Sequence, residues 1–330
     1  MLSRLLILLL ALCAAAAAAA AWWLQHPLAL AHAEVEVSIE PGTPVREIVR
    51  LWCEAGVQER PELLYQWFRW SGQARKIRAG SYLVSPGATP RSLLDKMVQG
   101  DEELESVHII EGWTVRQMRA ALAAAPALKA STAALSDAQL MAAIGAPGVP
   151  AEGRFFPDTY VYSRGVSDLL VLRRAHDALE RQLQAAWALR APDSPLKSPD
   201  AALALASVVE KETGAAADRA KVAGVFANRL RLGMPLQSDP TVIYGLGAAY
   251  DGSLHKIDLQ TDTPYNSYTR QGLPPTPIAL PGRDALRAAV RPDPTKALYF
   301  VARGDGTSAF SETLNAHNQA VNQFIRGPRK

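Results

Sequence analysis

The stretch from Leu203 to Pro240, LALASVVEKETGAAADRAKVAGVFANRLRLGMPLQSDP, constrains the chain more than any other. It opens with Leu203–Val209, a run without a charge, followed at once by Glu210, Lys211 and Glu212. Such a run is either an amphipathic helix whose end has reached solvent or a buried helix that delivers a carboxylate into a cleft. Residues two apart on a helix point about 200° apart, so at most one of the two glutamates looks into a cleft. A carboxyl at the end of an apolar helix is partly desolvated, which raises its pKa and keeps it protonated near neutral pH. Gly214 ends or bends this helix. Asp218 is placed to cap a second one over 219–232, which carries Val222, Val225, Phe226 and Leu230 at helical spacing with Asn228 and Arg229 beside them. Gly233 closes it. Gln237, Ser238, Asp239, Pro240 and Thr241 then form a polar turn segment that leads to Val242, Ile243 and Tyr244.

At 330 residues the chain is long enough for two domains and a sizeable core. A net charge of +3 argues neither for nor against a nucleic-acid partner. Arg4 is the one charge ahead of an apolar run, Leu5 to Leu24, about the length needed to span a bilayer, and Trp22 and Trp23 sit where an interfacial anchor belongs. The expected topology is a single-pass anchor over residues 1–24, with the N-terminus cytoplasmic and the bulk outside. Ala31-His32-Ala33 leaves a cleaved signal peptide as the other reading. Leu12 before Cys13 does not suit a lipobox. Cys13 and Cys53 belong to different segments, so no disulfide framework is implied.

Residues 35–105 read as a small α+β domain. Val35-Glu36-Val37-Ser38-Ile39 alternates as a half-buried strand does. A strand end, a Gly turn and a helix start recur at Glu40–Arg46, Ser85–Arg91 and Glu111–Arg116, which reads as one strand–turn–helix unit used three times. Trp67, Phe68 and Trp70 either stack on sugars or fill the core. Residues 106–150 read as connecting helices, and 151–330 as a mixed α/β domain with a long helix over 167–188. There is no His/Cys/carboxylate cluster at metal spacing, no G-x-S-x-G motif and no phosphate loop, so neither a metal nor another cofactor is expected.

SVVEKETG, VAGVFANRLRLGMPLQSDPTVIYGLG, TPYNSYTRQGLPPTPIALPG and ALYFVARGDGTSAFSETLNAHN, in that order, resemble the YceG-like family, the endolytic murein transglycosylases; Glu152 to Tyr160 also matches. The resemblance implies an α+β architecture: a transmembrane helix, a LysM-like module built from the first two repeats, and a catalytic domain. It also implies peptidoglycan glycan strands as substrate, action beside peptidoglycan synthases, and an inner-membrane location with the catalytic domain periplasmic. The acid of E-K-E-T carried over from the family is Glu212. Glu210, Asp218, Arg219, Asn228, Gln237, Ser238, Asp239, Tyr265 and Asn266 are then the candidates for lining the cleft. Asp218 stands where the family usually has Glu, Thr276 replaces a common Gly, and Arg303-Gly304-Asp305 departs from the usual A-D-G.

A lytic transglycosylase needs one carboxylic acid, which protonates the glycosidic oxygen and then takes the proton of the sugar's own 6-hydroxyl. A lysozyme-like hydrolase needs a second carboxylate, for which Glu152, Asp158 and Asp239 are the candidates. A non-catalytic glycan-binding scaffold would need neither. His317 reads as a packing or capping residue.

Overall fold

The computed structural model describes residues 2–327, which divide into two compact units. The smaller unit comprises the chain up to Ser106 with Pro126–Lys129 and Val161–Val166. Its elements are α1 (Leu2–Gln25), β1 (Val35–Ile39), α2 (Val45–Ala55), α3 (Pro61–Trp70), β2 (Gly80–Val84) and α4 (Pro90–Gln99). Within α1, Arg4–Gln25 is long and apolar enough to cross a membrane. Val35, Val37 and Ile39 of β1 are buried and the residues between them exposed, as the alternation predicts. β1 pairs antiparallel with β2, Val35 opposite Val84 and Ile39 opposite Gly80. Trp52 of α2, Leu64 and Phe68 of α3, Tyr82 of β2 and Leu93, Leu94 and Met97 of α4 fill the core against this sheet.

Each occurrence of the repeated fragment is a strand, a left-handed glycine and a helix. Gly42, Gly87 and Gly112 have φ of 83°, 98° and 76°, a region glycine enters without the Cβ penalty. Thr89 and Thr114 cap the second and third helices by accepting the N–H of Ser92 and Gln117. The third strand is β3 (Leu104–His108), along which the chain enters the larger unit; it crosses the same boundary along β4 (Thr159–Ser163).

The larger unit continues with α5 (Val115–Ala124), α6 (Asp137–Ile144), α7 (Asp168–Ala188), α8 (Pro199–Glu212), α9 (Ala216–Arg231), α10 (Asp239–Leu246), α11 (Lys256–Gln260), α12 (Arg283–Val290), the hairpin β5 (Tyr299–Ala302) and β6 (Ser308–Ser311), and α13 (Leu314–Val321). In the hairpin, Tyr299 stands opposite Ser311 and Ala302 opposite Ser308. The core is built around α8. Ser198 caps it and Pro199 opens it, and every residue from Ala202 to Val209 is buried. A helix apolar on all sides must be packed on all sides. α7 contributes Leu179 and Leu183, α9 contributes Val222, Ala223 and Phe226, and α12 contributes Leu286, Ala289 and Val290. The one hydroxyl in the run is satisfied twice: Ser207 donates to the Ala204 carbonyl at 2.7 Å and accepts from the Ile278 N–H at 3.0 Å. The second bond pins the proline-rich segment to the core.

α9 departs from the expectation at its start. It begins at Ala216 rather than after Asp218, and Asp218 accepts the Ser308 N–H of β6 at 2.6 Å instead of capping its own helix. Along α9 the chain runs close under residues 293–295. A Cβ on Gly224 would lie 2.8 Å from the Asp293 carbonyl oxygen and 2.7 Å from the Thr295 methyl, which explains a glycine inside a helix.

Candidate active site

The buried run of α8 delivers Glu212 at the helix's last residue. Its carboxylate Oε1 accepts the Ser238 hydroxyl at 2.5 Å. Burial pushes the Glu212 carboxyl up to about 7; the Ser238 bond and the Arg229 charge pull it down, and Asp239 pushes it up. The negative end of the α8 dipole acts in the same direction as burial. Burial thus favours the protonated form towards neutral pH, a state suited to a general acid.

Ser238 is fixed by a buried hydroxyl cluster. Its N–H donates to Ser267 Oγ at 2.9 Å, and its carbonyl accepts the Thr241 hydroxyl at 2.6 Å. The residue before it, Gln237, has φ of 51°, a strained conformation for a residue with a Cβ. Two contacts hold it. Its N–H donates to the Ser267 carbonyl at 3.0 Å, and its side-chain oxygen accepts from Arg229 Nη1 at 3.0 Å. Arg229 is only 7% exposed and directs its Nε and Nη1 donors into this corner. Nη1 also reaches the carbonyls of Pro235 and Leu236 at 3.1 and 2.9 Å, and Nε reaches that of Leu298 at 2.7 Å. Its guanidinium lies over the Tyr299 ring, 5.1 Å from the centroid.

These groups surround a cavity of about 330 Å³ lined by Glu212, Arg229, Leu236, Gln237, Asp239, Tyr268, Tyr299, Phe300, Leu314 and His317. Flat aromatic rings with a few directional polar groups suit a sugar. The Tyr268 hydroxyl donates to Asp239 Oδ1 at 2.6 Å, and His317 stacks on Tyr299 with centroids 5.2 Å apart.

Of the residues singled out in the sequence, the structure brings together Glu212, Gln237, Ser238 and Asp239. Six others lie outside the cavity lining, with polar atoms engaged elsewhere in the fold. The Glu210 side chain is 7% exposed; it accepts the Gly282 N–H at 2.9 Å and lies 4.0 Å from Arg219. Arg219 also pairs with Asp284 at 3.4 Å, and Asp218 is taken by β6. Asn228 donates to the carbonyls of Thr295 and Ala297 at 2.8 and 3.0 Å. Buried Asn266 ties the carbonyls of Asp258, Leu259 and Thr261 at 2.7–3.2 Å. The Tyr265 hydroxyl meets that of Thr276 at 2.8 Å, and its ring packs edge-on against Tyr244.

Tyr268 belongs to the polar, aromatic loop over 265–269 that the sequence marks as suited to sugar, but sequence reasoning passed over Arg229, Tyr299, Phe300, Leu314 and His317 as site residues. The aromatic strand of β5 and the His-Asn pair of α13 carry that signal only once β5 and α13 are known to stand beside α8.

Glu152 and Asp158 do not reach the cavity. Glu152 accepts the Val115 N–H at 3.0 Å and the Tyr244 hydroxyl at 3.2 Å, and burial pushes it up to about 7. Asp158 accepts the N–H of its neighbour Thr159. The lining thus holds two acids, Glu212 and Asp239, and the second already accepts from Tyr268.

The model of the YceG-like family matches residues 37–323 of this chain. An endolytic murein transglycosylase of Bacillus subtilis is 30% identical over 308 residues, covering 88% of this chain and 85% of that protein. An endolytic murein transglycosylase of Streptococcus pneumoniae is 27% identical over 328 residues, covering 88% of this chain and 58% of that protein. The crystal structure of a YceG-like protein from Listeria monocytogenes superposes with a TM-score of 0.56 at 27% identity, covering 87% of this chain and 98% of that one.

Proposed function

The chain belongs to the YceG-like family, and from that premise we propose that it is a membrane-anchored endolytic murein transglycosylase that cuts inside glycan strands with Glu212 as its one catalytic acid. The observation that carries the reading is a buried carboxyl at the wall of an aromatic cavity, held by a single serine and pushed up by its burial. Glu212 protonates the glycosidic oxygen between N-acetylmuramic acid and N-acetylglucosamine as that bond breaks and positive charge grows on the muramic anomeric carbon. The resulting carboxylate takes the proton of the muramic 6-hydroxyl, and that oxygen closes on the anomeric carbon. The product end is a 1,6-anhydro sugar, and neither water nor a covalent enzyme intermediate is consumed. Ser238 steadies the carboxylate between the two proton transfers. Gln237, Asp239, Tyr268, Tyr299 and His317 contact the sugars.

α1 anchors the chain in the membrane with its N-terminus cytoplasmic, Arg4 being the charge on that side. The catalytic unit then works outside the cytoplasm, beside the synthases that supply new strands.

Mass spectrometry of products from purified glycan strands tests the reading. Wild type should leave 1,6-anhydro ends, and E212Q, which keeps the shape and loses the proton, should leave none. Reducing ends from the wild type would instead point to water as nucleophile with Asp239 as its base. Binding without cleavage by both proteins would make the chain a glycan-binding scaffold.

A further inference from the structure

Helix α3 has a side that the core uses only in part, since Trp67 packs against the core while Leu63 and Trp70 project from it. Leu64 and Phe68 are buried, but Leu63 is 45% and Trp70 79% exposed, the latter the most exposed large apolar side chain described. Leu63, Trp67 and Trp70 stand at i, i+4 and i+7 and so share one side of the helix. The direction of that side is fixed by Trp67, whose indole N–H donates to the Pro90 carbonyl at 3.1 Å, at the start of α4.

The same place receives the chain as it leaves α1. The Leu28 N–H donates to the Ala88 carbonyl at 2.7 Å, two residues before Pro90. Leu30 bridges to Val57, and the Ala31 N–H donates to the Gly56 carbonyl at 2.8 Å. At its other end, α3 is reached through Glu59, which accepts the indole N–H of Trp23 at 2.8 Å. No free linker separates α1 from the unit, so both ends of α3 are tied within a few residues of the point where the apolar helix ends. Between Glu59 and Arg78 the chain carries five basic and two acidic side chains. Arg60, Arg69, Arg75 and Lys76 are exposed and make no ion pair among the described residues.

We propose that the Leu63–Trp67–Trp70 face of α3 lies in the interfacial layer of the membrane that α1 enters, with the neighbouring arginines and lysine on lipid phosphates. An amphipathic indole prefers that layer, and basic side chains beside it are drawn to anionic headgroups. The smaller unit would then be seated on the bilayer surface rather than tethered above it. This rests on α1 being a membrane anchor.

The test uses the full chain in nanodiscs of anionic phospholipid, prepared with and without bromine on the upper acyl carbons, and reads tryptophan quenching. The emission that disappears on W70F reports Trp70, and that lost on W22F reports the end of α1. Quenching of both components supports the proposal, and in the W70F protein the Trp22 component should still be quenched. Quenching of the Trp22 component alone overturns it while leaving the anchor in place. Quenching of neither means that α1 is not in the bilayer, and the anchor reading falls first. A Trp70 component that ignores bromine but shifts to the blue on adding glycan strands would overturn the proposal in favour of sugar stacking. Trp70 is exposed, so W70F should fold as the wild type does, with an unchanged melting temperature.

Discussion

At the scale of single residues the site is a carboxyl whose protonation is set by its surroundings. With Glu212 as the proposed acid, turnover should fall as pH rises through about 7. The Ser238 bond favours the ionised form, so S238A should move this alkaline limb to higher pH even as it lowers kcat; a limb that stays put would show that Ser238 does not reach the working carboxylate. Arg229 is expected to act one step back, by holding Gln237 in its left-handed conformation. Glycine adopts that conformation freely. R229M should therefore lower kcat sharply in the wild type but little further in a Q237G background, whereas additive losses measured as a double-mutant cycle would make Arg229 a structural residue only. The choice of Glu212 over Glu210 came from the family resemblance, whereas an acid at the end of an apolar run and the polar turn Gln237-Ser238-Asp239 were legible in the sequence itself. Arg229 was not. Its neighbour Asn228 looks equally functional in sequence, and only the fold shows Asn228 turned to the Thr295 and Ala297 carbonyls while Arg229 turns to the cavity.

At the scale of elements, what was local could be read. β1 alternates, the strand–glycine–helix unit occurs three times, and α7 starts just after a serine cap that the sequence shows. What depended on distant partners could not be read. Asp218 looks like a cap, but its partner is the Ser308 N–H, ninety residues away in β6. The charge-free run before Glu210 was open between a solvent-ending amphipathic helix and a buried one; packing by α7, α9 and α12 decides for burial. This makes α8 sensitive along its length. L205A, which empties a fully buried position, should lower stability by about 2–5 kcal/mol in urea unfolding. G224A in α9 places a methyl against the Asp293 carbonyl and the Thr295 methyl. In an unhindered helix alanine would stabilise by about 0.5–1 kcal/mol, but here overpacking should make it cost about 1–3 kcal/mol instead. A stabilised G224A would mean that the 293–295 segment yields easily.

At the scale of the whole molecule, carboxyls raised by burial couple stability to pH in the direction opposite to the usual paired carboxylate. Glu212 and Glu152 each stand near 7 in the folded chain, against an ordinary value of 4.5. Below about 4.5 both are protonated folded and unfolded, and their favourable contribution is complete. As pH rises towards 7 the unfolded chain releases these protons while the folded chain keeps them, so the unfolded state gains and stability falls. The shift of each group corresponds to about 3 kcal/mol, lost progressively between about pH 4.5 and 7. The two are separable because only Glu212 faces the cavity. Glu152 joins the first turn of α5 to Tyr244 of α10, so it serves the frame rather than the chemistry. E152Q keeps an acceptor for the Val115 N–H and turns an amide N–H towards the Tyr244 oxygen, while removing the ionisation. Its melting temperature should exceed that of the wild type at pH 8, the gap should close by pH 4.5, and the 1,6-anhydro product should be unchanged. An E152Q protein less stable than wild type at pH 8 would mean that Glu152 works there as a carboxylate, and that its two bonds outweigh its burial.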